Sequence, residues 1–451
     1  VDDALISARV ATNIAHGLGH RFNAGGPVVD AVTPLGWAYV LAPFARRGPV
    51  AALYFAKYFG AVLSLFATAW LGARAAREQG GPARLVALIP LALCAPLAAW
   101  CGAGMETGVV VALAAVAVSG AVTAPLAAGL AAALRPELVP WSVTLAAGAA
   151  LARDATTGAV RLDMRRAGRD IAMAAGPALA MAAIRIAVFG RPVPLAFFAK
   201  PSDFHHGAFY VLASLLWTGA PMLVVAPWAI RRLGHESRVV LVAAGVHCAS
   251  LFACGGDWMA FFRLFVPVLP GLFLVGARLV AVAPRWASVV RMLAASGVSG
   301  LLLFTKGSDA RGVLAERLAL IARAAPSLER AHSVAALDVG WVGASTSADI
   351  VDLAGVTDPA IAMLHGGHTS KRVPETLLRS RGVDAAVLLA SGQAAEEPLD
   401  RVTWARAVEA RVAREAAALG FIVRATLELP STGQRYVVLT LKGRSHHSGF
   451  P

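Results

Sequence analysis

Charge is what this chain has least of. Of its 451 residues 15% are Asp, Glu, Lys or Arg, against roughly a quarter in ordinary soluble domains. With 57% hydrophobic residues and a mean hydropathy of +0.65, that shortage excludes an ordinary soluble protein and reads as an integral membrane protein. Acidic residues are the scarcer sign, 27 against 41 basic, for a formal net charge of +14. The arginines are scattered through short loops, and no basic stripe is interleaved with the few aromatics. Nucleic-acid binding needs such a stripe, so it is excluded. Cysteine is rare. Cys94, Cys101, Cys248 and Cys254 all fall in apolar runs without metal-ligand spacing and read as small packing residues, with a Cys101–Cys254 disulfide left open. His205-His206 and His446-His447 lack a third ligand at metal spacing. No signal peptide, internal repeat or low-complexity tract stands out. The polar opening leads us to expect that a hydrophobic segment precedes it.

Long apolar runs are what the chain does have. Asp3 to His16 reads as an amphipathic helix with Leu5, Val10 and Ile14 on its apolar side, broken by Gly17-Leu18-Gly19 and followed by turn residues from Phe22 to Pro27. Leu35 to Phe44 is apolar but too short to span, and reads as interfacial. Runs at 50–73, 85–104, 107–134 (two short spans), 138–152, 171–184, 208–230, 239–255, 264–283 and 292–304 follow. At roughly 20 apolar residues per crossing, with several short spans tilted or buried in protein, they predict about ten spans.

The Lys/Arg bias of the loops orients them. Connections 74–84, 153–170 and 231–238, with Arg285 and Arg291, carry most of the loop arginines and fall on one side, the cytoplasm. The opposite side holds Asp2-Asp3, Met105-Glu106, residues 190–207 and Gly255 to Arg263, with Arg46 and Arg47 as exceptions placed to reach headgroups or a phosphate. From about Asp309 the character changes. Helix-like stretches (310–324, 401–419) alternate with strand-like ones (333–338, 385–390, 421–429, 435–442), predicting an α/β domain outside the cytoplasm. The expected organisation is a transmembrane domain over 1–308 and a soluble extracytoplasmic domain over 309–451.

Charges at bilayer depth are costly and functional by default. Span parity brings Asp2, Asp3, Glu106, Glu137, Lys200, Asp257 and Arg263 to one face of the membrane. Carboxylates beside Arg and Lys suit a site that deprotonates a hydroxyl and neutralises a phosphate leaving group. Each has a plainer reading too. Asp2, Asp3 and Glu106 sit at helix starts that favour acids, Arg135-Pro136-Glu137 reads as a turn, Lys200 as a snorkelling flank, and Asp257 with Arg263 as a structural ion pair.

As an ordered series these motifs resemble the GT-C glycosyltransferases of the mycobacterial terminal β-(1→2)-arabinofuranosyltransferase type. Asp2-Asp3-Ala4-Leu5-Ile6-Ser7-Ala8-Arg9 with Asn13, then Gly19-His20-Arg21-Phe22-Asn23-Ala24-Gly25, is similar to the family's acidic first outer loop and its Gly-x-x-Phe-Asn-x-Gly turn. Thr33-Pro34-Leu35, Gly104-Met105-Glu106-Thr107, Arg135-Pro136-Glu137, Phe189-Gly190 leading to Phe198-Ala199-Lys200, and Gly256-Asp257-Trp258 leading to Arg263 match later landmarks in order. Asp338-Val339-Gly340, the stretch Asp349 to Asp358, and His368-Thr369-Ser370-Lys371-Arg372 are similar to the family's outer domain. The series covers nearly the whole chain. It departs from the family twice. The family's helix before the acidic pair is not among these residues and is expected to precede them, and Ala24-Gly25-Gly26 stands where relatives often place an acid.

The resemblance implies a GT-C multi-pass fold and sugar transfer, of arabinofuranose or a similar sugar, from a polyprenyl-phosphate donor to an extracytoplasmic cell-envelope glycan at the plasma membrane. Asp2 and Asp3 would be the catalytic pair, one as general base. Lys200 and Arg263 would hold the departing phosphate. Glu106, Glu137, Asn23, Asp257, Trp258 and His368 would contact substrate. No cofactor is implied, and divalent-metal dependence stays open. The competing classes are a transporter or flippase of lipid-linked sugar and a non-catalytic scaffold whose outer domain binds glycan.

Overall fold

The computed structural model describes residues 2–78, 83–153, 160–224, 226–391, 399 and 401–442. The second histidine pair, His446-His447, lies outside them. In chain order the longer helices are α1 (Asp2–Ala15), α2 (Pro49–Arg77), α3 (Met164–Phe189), α4 (His235–Cys254) and α5 (Arg285–Leu328). The short α6 (Val339–Ser345) and then α7 (Ala407–Ala418) follow. Five strands form one sheet: β1 (Ser333–Ala336), β2 (Asp349–Asp352), β3 (Ala385–Ala390), β4 (Phe421–Leu429) and β5 (Gln434–Leu441). The chain divides into two compact units. The first comprises Val1–Leu53, Phe189–Pro201 and Arg311–Pro451, the second Tyr54–Val188 and Ser202–Ala310.

The second unit ends at Ala310 and the first resumes at Arg311, a division that falls inside the continuous α5 rather than in a linker. The opening 53 residues group with the C-terminal part, not with the helices that follow them. The reason lies in α1. An amphipathic surface helix would leave one side wet, yet every residue from Ala4 to Ala11, and Asn13, is buried. Its small apolar residues pack against α6 and the helix Leu35–Leu41.

Four helices, α2 to α5, are long and apolar enough to cross a membrane, or five crossings if the pair 84–92 and 95–101, bent by 46° at the break, counts as one. Only 11% of the most apolar window of α3 is buried in protein. Apolar surface that extensive is compatible with insertion in a membrane. The other five expected runs fold short. Thr107–Ala117, Ala124–Leu134 and Val139–Ala149 have 11 residues each, about half the rise a bilayer core demands. Residues 204–229 are cut into pieces by a π segment at Leu215–Gly219, and Val266–Val282 is also short. Proline starts several of these pieces, at 125, 140, 221, 227 and 267, where it fits the first helical turn but would break an interior.

In the first unit the sheet runs β2-β1-β3-β5-β4. β1 pairs in parallel with β2 and β3, while β5 pairs antiparallel with β3 and β4. β3 is buried along its whole length, which fits its central place and its run Ala-Ala-Val-Leu-Leu-Ala. The strands expected at 333–338, 385–390, 421–429 and 435–442 are present within a residue or two. β2 was not expected, because its short Asp-Ile-Val-Asp carries acids at both ends. A second, two-stranded ladder (Leu151–Arg153 with Val160–Leu162) lies in the loop read as cytoplasmic.

Candidate functional site

In the second unit the charged residues singled out from sequence form a buried polar cluster. Glu106 immediately precedes the helix Thr107–Ala117, is 2% exposed, and lies 2.6 Å from Nη2 of Arg135. Arg135, between two short helices, also approaches Glu137 at 3.4 Å and donates to Thr107 Oγ1 at 3.0 Å. Asp257 and Arg263 pair at 2.7 Å. The Arg263 guanidinium donates to Met105 Sδ at 3.5 Å and stands over the Trp100 ring at 5.7 Å. Met105 adjoins Glu106, so both ionic groups bear on the segment 100–107.

Two further side chains tie the cluster together. The His247 ring sits 3.3 Å from the Glu137 carbonyl and 2.8 Å from the Leu264 carbonyl. Tyr210 Oη accepts from the Leu264 amide at 3.0 Å. The loop that carries Asp257 and Arg263 is strained. Gly255 and Gly256 take positive φ, which costs glycine little, but Phe261 (φ 59°) and Phe262 (φ 53°) do so as well. Bulky side chains in that region cost of order 1–3 kcal/mol each and persist where surrounding structure holds them, commonly at functional sites. Trp258, in the same loop, is 72% exposed and stacks on His206 with centroids 3.7 Å apart.

In the first unit Asp2 and Asp3 open α1, both half-buried. Asp2 Oδ1 accepts from the Trp341 amide at 2.7 Å and Oδ2 from the Gly340 amide at 3.1 Å. Burial, then the negative charge of Asp338, pushes its carboxyl up to about 6. Asp338 accepts from Tyr436 Oη and pairs with Arg406 at 2.6 Å, and Arg406 reaches Glu409 at 3.4 Å. Glu409 Oε1 accepts from the Leu389 amide at 3.0 Å, and burial raises this acid to about 7. Asp352, fully buried at the end of β2, accepts from the amides of Ala354 and Thr357 and from the Thr357 hydroxyl. Burial pushes it up to about 6.

The remaining predicted residues lie in this unit too. Asn23 donates from Nδ2 to the Ile350 carbonyl and accepts the Ile350 amide on Oδ1, each at 2.9 Å. Its amide thereby extends the open edge of β2, which is a structural use where a sugar contact was expected. His368 is half-buried in the loop after Pro359–Ala362, and Lys200 is half-buried at the end of Leu195–Ala199. Lys200 and Arg263, expected as one phosphate clamp, belong to different units. All four cysteines are free thiols. Among the described residues no three His, Cys, Asp or Glu side chains gather closely enough to hold a metal ion.

Sequence reading gave no role to Arg9, Asp338, Arg406, Glu409, Tyr436, Tyr210 or His247. A signal existed for two of them. Arg9 and Glu409 stand at helical spacing among residues that bury, Leu5 and Asn13 for the first, Val412 and Ala416 for the second. The chain matches no protein-family model, no curated protein and no solved structure.

Proposed function

We propose that the chain is a membrane glycosyltransferase of the GT-C type, moving a sugar from a polyprenyl-phosphate donor to a cell-envelope glycan on the extracytoplasmic side. What supports the reading is the buried set Glu106, Arg135, Glu137, Asp257 and Arg263 in a body of apolar helices. Buried ion pairs contribute little net stability, and charge at such depth is retained where it acts on a substrate. The donor class and the arabinofuranose-like sugar rest on the ordered motifs alone. In the proposed step the acceptor oxygen bonds to the anomeric carbon as the bond from that carbon to the phosphate oxygen breaks. The acceptor's proton passes to a carboxylate of that set, and the departing phosphate keeps the electron pair, its charge offset by an arginine.

The test is incubation of the purified protein with a panel of polyprenyl-phosphate sugars and glycan acceptors, read by mass spectrometry. A glycosylated acceptor together with free polyprenyl phosphate is the expected product. A transporter of lipid-linked sugar is the second reading, favoured by the bent pair at 84–101 and the broken run at 204–229. Movement of the lipid-linked sugar across vesicles with no bond made or broken would replace the first reading by the second.

A further inference from the structure

Several arginines of the first unit are engaged by the protein itself: Arg9 by four carbonyls, Arg406 by Asp338 and Glu409, and Arg381 by Asp358. Three others converge without such partners. Arg379, in the short helix Leu377–Ser380, and Arg411 and Arg414, both on α7, line one cavity of about 430 Å³. That volume is within the range of small-molecule sites. Among the described residues none of the three forms an ion pair or a side-chain hydrogen bond. Arg411 and Arg414 are three positions apart and so share a helix face, where like charges repel. Glu415 stands four positions after Arg411, where an acid ordinarily pairs with a base. Its carboxylate is instead turned to the other helix, Oε2 accepting from the Leu378 amide at 2.9 Å and Oε1 from the Arg379 amide at 3.0 Å. Glu415 is 9% exposed, so these bonds lie in the cavity wall and fix the helix of Arg379 against α7. Glu375, the other acid on the wall, is exposed and pairs with none of the three.

The ligand this arrangement suits is an anion with more oxygens and more charge than one carboxylate. A carboxylate engages a single guanidinium fork, whereas a phosphate monoester brings three terminal oxygens and about 1.5 to 2 negative charges. The cavity is larger than a phosphate group, and Leu419 gives it an apolar side, so the phosphate arrives on a small organic body. A lipid head group is disfavoured. Among the described residues from 375 to 419 no large apolar side chain is exposed, and proteins that bind a lipid surface carry such anchors. We propose that this cavity binds a small soluble phosphate monoester, its phosphate held by Arg379, Arg411 and Arg414. None of these residues is among the groups assigned to sugar transfer, so the site stands or falls apart from that reading.

The test titrates the full chain, in detergent and phosphate-free buffer, with glycerol 3-phosphate, and with glycerol as the uncharged control, by calorimetry and hydrogen exchange. Glycerol 3-phosphate is expected to bind and to slow exchange of residues 377–380 and 407–418, and glycerol to do neither. Arg379→Gln and Arg411→Gln should each weaken binding about tenfold or more, the range for losing a hydrogen bond to a charged group. Arg411→Lys should lose most of that affinity too, since an ammonium keeps the charge but not the fork. Arg424→Gln, at an exposed arginine of β4, should change binding by less than about twofold, because distant exposed charges are screened. No binding of glycerol 3-phosphate, or equal binding by wild type and the Arg379→Gln/Arg411→Gln double variant, would overturn the site. An equal loss in Arg424→Gln would overturn it too, reducing it to general attraction between a basic protein and an anion. Binding to phosphatidic acid in phosphatidylcholine vesicles, without binding of glycerol 3-phosphate, would overturn the soluble ligand.

Discussion

The two units differ in the partners they give most of their buried charge. In the first, a charged or polar group is mostly held by backbone: Arg9 by four carbonyls, Asp2 by two amides, Asp352 by two amides and a hydroxyl, and Lys371 by the carbonyls of Ala362 and Leu364. In the second, the cluster holds charge by charge, Glu106 and Glu137 by Arg135 and Asp257 by Arg263, while the fully buried Arg291 donates to the Met222 carbonyl. A group bonded to backbone is released only when the local fold opens. An ion pair exchanges one partner for a substrate group of the same sign without disturbing the chain.

The sharpest way to break that contrast is to neutralise a pair whole. Asp257→Asn combined with Arg263→Met removes both charges at once, and buried pairs replaced in this way leave stability unchanged or improved. The double variant is expected to melt at or above the wild-type temperature while losing transfer a hundredfold or more. A falling melting temperature with normal transfer would make the pair structural. Arg9→Met is the counterpart in the first unit. It strands buried carbonyls, and the expected loss is about 3 kcal/mol, read as early unfolding of α1 and the sheet in a thermal scan followed by hydrogen exchange.

Acid tests the same unit more gently. Asp2 and Asp352 sit at about 6 and Glu409 at about 7, each raised chiefly by burial above its ordinary value near 4. Each therefore binds its proton more tightly folded than unfolded. Their combined effect is largest below the ordinary values and is lost as pH rises through 6 to 7. Exchange protection of β1, β2 and β3 should accordingly be higher at pH 5.5 than at pH 7.5, and Glu409→Gln should reduce the difference. The smallest effect is at Asn23. Losing its two bonds to Ile350 should cost about 1 kcal/mol and loosen β2 alone, without altering transfer at saturating substrate.

Much of the fold is legible in the residue pattern. The apolar runs mark the helices, and four of the five main strands follow from their apolar, β-branched stretches. The polar cluster was legible too, because Glu106, Glu137, Asp257 and Arg263 are charges in otherwise apolar surroundings. Less visible were the short helices, since a run such as 107–134 reads as hydrophobic whether it is one span or two pieces. β2 escaped for a similar reason, its four residues Asp-Ile-Val-Asp offering no period to read. Arg9 was quoted in a motif without a role, because four carbonyl partners spread from Phe22 to Ala348 leave no local trace.

By itself the sequence determined which segments are apolar, where an α/β pattern begins, and which scarce charges stand among hydrophobic neighbours, for all of these are properties of residues close together along the chain. The tertiary structure alone decided that α1 belongs to the same unit as residues 311–451, that Asp2 is bound by amides 338 and 339 positions away, and that Asn23 completes a strand. Those outcomes depend on contacts between distant segments, whose free energy is set by shape and hydrogen bonding after folding and not by any local preference.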